Sequence, residues 1–503
     1  MLGGLCPSDV ALVLRHCPER ANVLFSNAMI SRSVARARAL YSVIISEDPS
    51  EYAISGLGST HFATITAGDC EKRTIGAEGG GGSSKCSKCS KCNANEAVTG
   101  SSCLQCFRSA LYAKFRQAVT SHATILPTDN LLLAFSGGSA SRVALQFVHE
   151  MQQKAQRNSD ASRDKSYPVF GVGVAFVDES AAFPIPSTQM EQAIQDMTSI
   201  VSSLASPVKN LHVIPIENIC HSKSMDGRNR LKELLHNITD ITGKEDFIRQ
   251  LRLLCLQKAA SENGYDKLIL GSCASTIAHH VIAATVKGQG YSLPADIQYV
   301  DARWEIPVML PLRDCLGQEL SMLCLLDSLK TLDVFNGGSS GVNRLVSSFI
   351  ALLREENPAR ECTIVRTAEK LIPFHFNKLL ETDDSDDFMT SRWHRKRMNL
   401  RPRESIASEF LCAICSSPLN KSDVESLRHE LHCRTSMSER CELTCCRSCQ
   451  FQVLPKEPSS VEQFYSLLPQ CIITQMKNHT YGDFDILREQ IEDCLLSDSD
   501  DDS

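Results

Sequence analysis

One stretch constrains the fold of this chain more than any other. An apolar run over 131–136 ends in Ser136, Gly137, Gly138, Ser139, Ala140 and Ser141 and passes directly into a segment with helical apolar spacing over 141–156. The run has strand length. The residues after it are small enough for backbone N–H groups to close round a ligand, and a helix N-terminus follows at once. Strand, small-residue turn and helix in that order make an anion-binding loop.

The same alternation continues downstream. Strand-like runs lie at 169–177, 211–216, 267–272 and 306–312, with helical patterns at 188–204, 244–263, 276–287 and 318–329 between them. Near-continuous apolar strands separated by amphipathic helices predict an α/β fold over 109–335, a parallel sheet with helices on both faces. Ligands of such sheets bind beyond the strand C-terminal ends. That edge holds the 136–141 loop, Asp178 with Glu179, and Gly271-Ser272-Cys273. Asp178 and Glu179 are candidates to meet a ligand or to cap the next turn. Cys273 is a candidate thiol acceptor or a small buried residue. His279 and His280 are adjacent, so they point to different helix faces and at most one can turn to a site.

Composition excludes several classes. A chain of 503 residues is too long for one small domain, and its net charge of −7 argues against a globally basic nucleic-acid binder. No apolar run reaches the length of a membrane span. The chain has 23 cysteines, nine of them in Cys-x-x-Cys spacing, without a secretory signal, which suits zinc in a reducing, cytosolic compartment better than disulfides.

The Cys-x-x-Cys pairs sit in two groups outside the α/β stretch. In 85–108, Cys89, Cys92, Cys103 and Cys106 form two knuckles that supply the four thiolates of a structural zinc, with Cys86 a fifth candidate for four places. In 405–496, Cys412, Cys415, Cys446 and Cys449 form a second zinc module, and Cys445, Cys433 and Cys441 are further candidates there. The remaining stretches are a disordered leader or mis-assigned start over 1–84, a helix and charged linker over 336–404, and an acidic tail over 497–503. The first forty residues are poor in acids, so an organellar transit peptide is an alternative for the leader. The linker runs from an acidic stretch, 381–387, into Arg392, Arg395, Lys396, Arg397, Arg401 and Arg403. Those six are either a phosphate-contacting strap on RNA or a solvated counterweight to the acids.

The loop resembles the SGGxDS loop of the PP-loop ATP pyrophosphatases, in which the fifth residue is an aspartate; here it is Ala140. Cysteine knuckles before such a domain and a cysteine cluster after it resemble the cytosolic tRNA 2-thiolation family, and within it the non-catalytic subunit in a plant-like form. The segments that carry the likeness are 89–116, 131–147, 171–179, 242–329, 356–370 and the Cys-Leu-Leu-Ser-Asp-Ser-Asp stretch near the C-terminus. The family's catalytic subunit adenylates the wobble uridine carbonyl with ATP and replaces its oxygen with sulfur from a thiocarboxylated ubiquitin-like carrier. This chain departs from it at each point. Its Gly-His-Asn-Ala-Asp-Asp-like motif is here Gly271-Ser272-Cys273-Ala274-Ser275-Thr276, and no cysteine stands near 247–248 or 335–337, where the two catalytic ones fall. A methyl group cannot position Mg²⁺ or polarise a phosphate. The resemblance therefore implies a scaffold that dimerises with the catalytic subunit and helps hold tRNA. Ser136, Gly137, Gly138 and Ser141 then form a vestigial nucleotide cradle in which ATP binding is not secured.

Overall fold

The computed structural model describes residues 103–122, 124–161, 168–183, 185–220, 226–332, 334, 340–377, 410–420 and 445–474. The 1–84 leader, Cys86, Cys89, Cys92, the six basic residues of 392–403 and the acidic tail lie outside the described residues.

Six strands form one sheet: β1 (Asn130–Ala134), β2 (Gly171–Asp178), β3 (Leu211–Pro215), β4 (Lys267–Ile269), β5 (Val300–Asp301) and β6 (Val308–Met309). Their order is β3-β2-β1-β4-β6-β5, and every pair is parallel except β5 with β6. The central strand β1 is apolar throughout its middle because it is covered on both faces; Leu131, Leu132 and Leu133 are all buried, paired with Val172, Gly173 and Val174 on one side. On the other side Leu132 lies opposite Leu268.

One face is covered by α1 (Leu104–Ser121), α2 (Ser139–Ala161), α3 (Ser187–Ser202) and α8 (Gly317–Leu326), which bury Leu111, Phe115, Phe147, Met197 and Leu320 against Leu131, Leu133, Val174 and Phe176. The opposite face is covered by α5 (Ile241–Glu262), whose Asp240 caps the first turn by accepting the Gly243 N–H at 2.6 Å. A further helix, α4 (Gly227–Asn237), precedes α5, and α6 (Ala274–Val286) follows β4. A single turn, α7 (Leu293–Asp296), leads to β5. Beyond the sheet, α9 (Gly341–Glu356) and α10 (Ala359–Ala368) pack on α6.

Two differences from the sequence reading have physical causes. The segment after Cys103 is helix α1, which runs through the boundary drawn at 108 and buries Leu111, Phe115 and Val119 in the core. The last strand is two residues, Val308–Met309, with an antiparallel partner, Val300–Asp301, that a periodicity reading cannot see in so short a span.

The C-terminal cysteine module docks on the α/β domain rather than hanging from it. It comprises the 410–420 turn with α11 (Arg447–Gln452) and α12 (Pro458–Leu467). Arg230 of α4 donates to the carbonyls of Leu467, Ser466 and Leu468 at 2.9, 2.7 and 3.0 Å. Phe247 of α5 meets Phe464 with ring centroids 6.3 Å apart. Arg303, buried between Asp296 and Asp301, donates to the Ser416 carbonyl at 3.1 Å.

Candidate functional site

Strand order reverses between β1 and β4, since the chain lays β2 and β3 to one side of β1 and β4 to the other. The loops leaving β1 and β4 therefore flank a crevice at the strand C-terminal ends, the place where open α/β sheets hold ligands. Here they nearly touch. A Cβ on Gly271 would lie 2.8 Å from the Ser141 nitrogen, so only glycine lets the 271 turn approach the start of α2.

The 136–141 loop keeps the backbone form of an anion cradle. Gly137 has φ +86°, a left-handed conformation that disfavours any side chain. The first helical bond runs from Arg142 N–H to the Gly138 carbonyl at 2.9 Å, which leaves the N–H groups of the first turn of α2 without intrahelical acceptors. Small hydroxyls brace it: Ser141 Oγ donates to the Gly138 carbonyl at 3.0 Å and lies 3.2 Å from Ser136 Oγ, while Ser139 Oγ is 3.0 Å from Ser321 Oγ of α8. The segment after α8 leans on the turn as well, with Leu332 N–H donating to the Gly137 carbonyl at 3.0 Å.

The acids that chemistry would need are missing or engaged. Position 140 offers a methyl group. Asp178 accepts the Ser180 N–H at 2.9 Å, closing a turn, and the buried Glu179 is paired with Arg252 of α5. Asp178 thus closes a turn, and Glu179 forms an ion pair to α5 across the fold. In the 271–276 turn, Ser275 Oγ accepts the Gly317 N–H at 2.9 Å and donates to Glu361 of α10, a residue 1% exposed. Glu361 thereby brings an acid to the first turn of α6, where negative charge is favoured, but it is held inside the fold.

Burial disfavours the thiolate form of two cysteines near the crevice. Burial pushes Cys324, which faces the Ser139 carbonyl, up to about 11, and pushes Cys315 up to about 12. Cys273 is buried at the N-cap of α6, with Sγ 3.5 Å from Thr276 Oγ1. His279 bonds the Asn343 carbonyl and Ser347 of α9, and His280 pairs with Asp296, so the two turn apart and neither reaches Cys273 as a ligand pair. Phe247 and Ile248, at one of the places where the resemblance puts a catalytic cysteine, are core residues of α5; the other, 335–337, lies outside the described residues.

The second cysteine group does converge. The sulfurs of Cys412, Cys415, Cys446 and Cys449 all lie within 4.8 Å of one another. Tetrahedral zinc with Zn–S bonds of about 2.3 Å requires sulfurs about 3.8 Å apart, and the Cys415–Cys446 separation is 3.6 Å. The loops are shaped for thiolates: Cys446 N–H donates to Cys412 Sγ at 3.2 Å and Cys449 N–H to Cys446 Sγ at 3.4 Å. A tight turn places Ser416 at φ +55° and donates its N–H to the Cys412 carbonyl. Burial raises the Cys412 thiol, but hydrogen bonds with the neighbouring cysteines outweigh it and hold the group well below its ordinary value. The donor set fits a four-coordinate metal with no open position. Of the first group, Cys103 is buried at the N-cap of α1 and Cys106 lies in its first turn; Cys89 and Cys92 are outside the described residues.

Comparison with known proteins gives the family. A relative from Arabidopsis thaliana, "Cytoplasmic tRNA 2-thiolation protein 2", is 56% identical over 396 residues, covering 79% of this chain and 86% of its own length. This chain belongs to the cytoplasmic tRNA 2-thiolation protein 2 family. A member of the family from Oryza sativa subsp. indica is 54% identical over 400 residues, again covering 79% and 86%. The human member is 22% identical over 338 residues, 54% of this chain and 63% of its own. No protein-family model matches. Among solved structures, the U34-tRNA thiolase NcsA from Methanococcus maripaludis with its [4Fe-4S] cluster is similar at 16% identity and a TM-score of 0.41, covering 57% of this chain and 86% of that one. Among the described residues, no helix is long and apolar enough to cross a membrane.

Proposed function

We propose that this chain is the accessory subunit required for 2-thiolation of the wobble uridine in cytosolic tRNAs of the Lys, Glu and Gln type. It acts as a heterodimer with a catalytic PP-loop subunit, which takes sulfur from a thiocarboxylated ubiquitin-like carrier. One observation carries the non-catalytic role. The loop retains its glycine turn, serine braces and free helix N-terminus, yet position 140 is a methyl and the acids beside it are tied to Ser180, Arg252 and Ser275. A cradle of this kind can hold an anion and cannot organise Mg²⁺ for attack on a phosphate. Ser136, Gly137, Gly138 and Ser141 are its vestigial nucleotide contacts.

The cysteine modules are structural in this reading. Cys412, Cys415, Cys446 and Cys449 hold zinc that fastens 410–420 to α11, and Cys89, Cys92, Cys103 and Cys106 hold a second zinc ahead of α1. The basic residues Arg392, Arg395, Lys396, Arg397, Arg401 and Arg403 contact tRNA phosphates. The protein works in the cytoplasm.

The test is mass-spectrometric quantification of 2-thiouridine in cytosolic tRNA from cells lacking the protein. Wild type is expected to restore thiolation, and so is a form with Ser136, Gly137 and Gly138 disrupted. Normal thiolation without the protein sinks the proposal, and pyrophosphate release from ATP by the chain alone would point to an independent enzyme.

A further inference from the structure

The turn that carries Cys412 and Cys415 is shaped by one residue that binds no metal. Ser416, directly after Cys415, is buried at φ +55°, a left-handed conformation that costs a serine free energy and persists where its surroundings fix it. Within the turn, Ser416 N–H donates to the Cys412 carbonyl at 2.7 Å and Cys412 N–H to the Ser417 carbonyl at 2.8 Å. Ser417 Oγ lies 3.2 Å from Cys415 Sγ. A change at Ser416 therefore displaces both cysteines of the pair. Two side chains of the α/β domain grip this residue. Arg303 Nη1 donates to the Ser416 carbonyl at 3.1 Å, and Gln250 Nε2 of α5 donates to Ser416 Oγ at 3.3 Å.

Arg303 is fixed by its own domain. Its Nε donates to Asp301 Oδ2 at 2.9 Å and its Nη2 to Asp296. Its guanidinium carbon lies 5.6 Å from the centroid of the Trp304 ring and 5.9 Å from that of Phe376. The two acids are held in turn: Trp304 Nε1 donates to Asp301 at 3.0 Å, and His280 Nε2 is 3.0 Å from Asp296 Oδ2. A guanidinium presents its donors in a rigid planar fork. With Nε and Nη2 taken by carboxylates, the direction of Nη1 is set, and it points at the Ser416 carbonyl. Because Arg303 already faces two acids, what it offers the cysteine turn is a fixed hydrogen bond rather than free charge.

We propose that Arg303, assisted by Gln250, is a positioning residue for the metal site of Cys412, Cys415, Cys446 and Cys449. It holds Ser416 left-handed, keeps the first two sulfurs at binding separation, and so lets the α/β domain set the affinity of the site for its metal. Linkage makes the effect reciprocal: bound metal strengthens the grip of Arg303 on Ser416 by the same factor. The metal thus fastens the cysteine module to the α/β domain as well as to α11. The inference rests on the metal reading above and adds residues outside the ligand set.

The test titrates zinc into the metal-stripped full chain in competition with a chromophoric chelator, with Cys89→Ser and Cys92→Ser present to silence the first cysteine group. Arg303→Lys keeps a cation between Asp296 and Asp301, but one nitrogen cannot span both acids and the Ser416 carbonyl. It should lower zinc affinity about ten- to a hundredfold. Gln250→Leu leaves Arg303 in place and should lower it about two- to tenfold. Ser416→Gly added to Arg303→Lys should recover most of the loss, because glycine adopts a positive φ without an external hold. Undiminished affinity in both Arg303→Lys and Gln250→Leu overturns the positioning role and leaves the metal site standing. A loss that Ser416→Gly does not recover overturns it too, since the effect then comes from the fold at large and not from the turn. If the starting chain takes up no zinc, the metal reading fails and this inference with it.

Discussion

Gly243 offers a single-atom test of how the cysteine module is held. It lies in the first turn of α5, against the backbone of Gln452 at the end of α11. A methyl group there would overlap the Gln452 carbonyl oxygen and stand 2.5 Å from its carbonyl carbon. Both sides of this contact are backbone, so no side chain can swing away. Two effects compete in Gly243→Ala. Alanine favours a helix over glycine by up to about 1 kcal/mol, while overpacking a filled site costs about 1–3 kcal/mol. With rigid backbone on each side the upper half of that range applies, leaving a net loss of about 1–2 kcal/mol. At about 2–4 °C per kcal/mol for a domain of this size, the melting temperature should fall by about 2–8 °C. The displacement falls on the helix that carries Cys449 and is capped by Cys446, so amide hydrogen exchange across α11 should also rise. Gly290→Ala is the control, because nothing lies within 4 Å of its Cβ position. An unchanged or raised melting temperature for Gly243→Ala, with α11 still protected, would refute close backbone docking as the means of attachment.

Other consequences are open to simpler measurements. Cys412→Ser, or a strong chelator, should release one metal equivalent, as read by elemental analysis, and lower the melting temperature more than Gly243→Ala does; unchanged metal content contradicts the four-sulfur site. The His149 imidazole, 2.7 Å from Lys209, is pushed down to about 4 by burial and then by Lys209 and Arg142. Between about pH 6.5 and 4 the unfolded chain therefore binds a proton that the folded chain does not, so stability should fall as pH drops through that window, and a His149→Gln variant should show a flatter melting profile there. Changing Arg392, Arg395, Lys396, Arg397, Arg401 and Arg403 to Gln should weaken tRNA binding by the complex and flatten its salt slope by about 0.7–0.9 for each phosphate that is no longer neutralised; equal binding at low and high salt rules the strap out.

How much of this was visible in the sequence depended on the length of the signal. The central strands and helices α2, α3, α5, α6 and α8 fall where apolar spacing places them, because each repeats its period over a full element. The close approach of the 136–141 loop and the 271 turn followed from their glycines, and the convergence of Cys412, Cys415, Cys446 and Cys449 from their Cys-x-x-Cys spacing. Helix α1 was obscured by Cys103 and Cys106, which fit a knuckle as well as a helix start. Helix α4 went unrecognised because Arg228, Arg230, Lys232 and Glu233 crowd its polar faces and only Leu231, Leu234 and Leu235 mark the inner one. The engagement of Glu179 by Arg252 and of Ser275 by Glu361 joins residues 73 and 86 positions apart. No local pattern encodes such pairings; they follow from the sheet order, which brings distant loops to one edge.

Arg230 and its three carbonyl partners are separated by up to 238 residues of sequence. During synthesis the docking faces of α4 and α5 emerge long before α12 exists to cover them. Phe247 and the Arg230 guanidinium must wait, exposed, while roughly half of the protein is still being translated; at about 5–20 residues per second that is a delay of tens of seconds. A chain that stops short of α12 leaves this face bare for good, with an apolar ring and an unsatisfied cation on display. Intact and shortened products are thus distinguishable by whether that surface has closed, and a chaperone or protease that tests for exposed apolar surface can sort them.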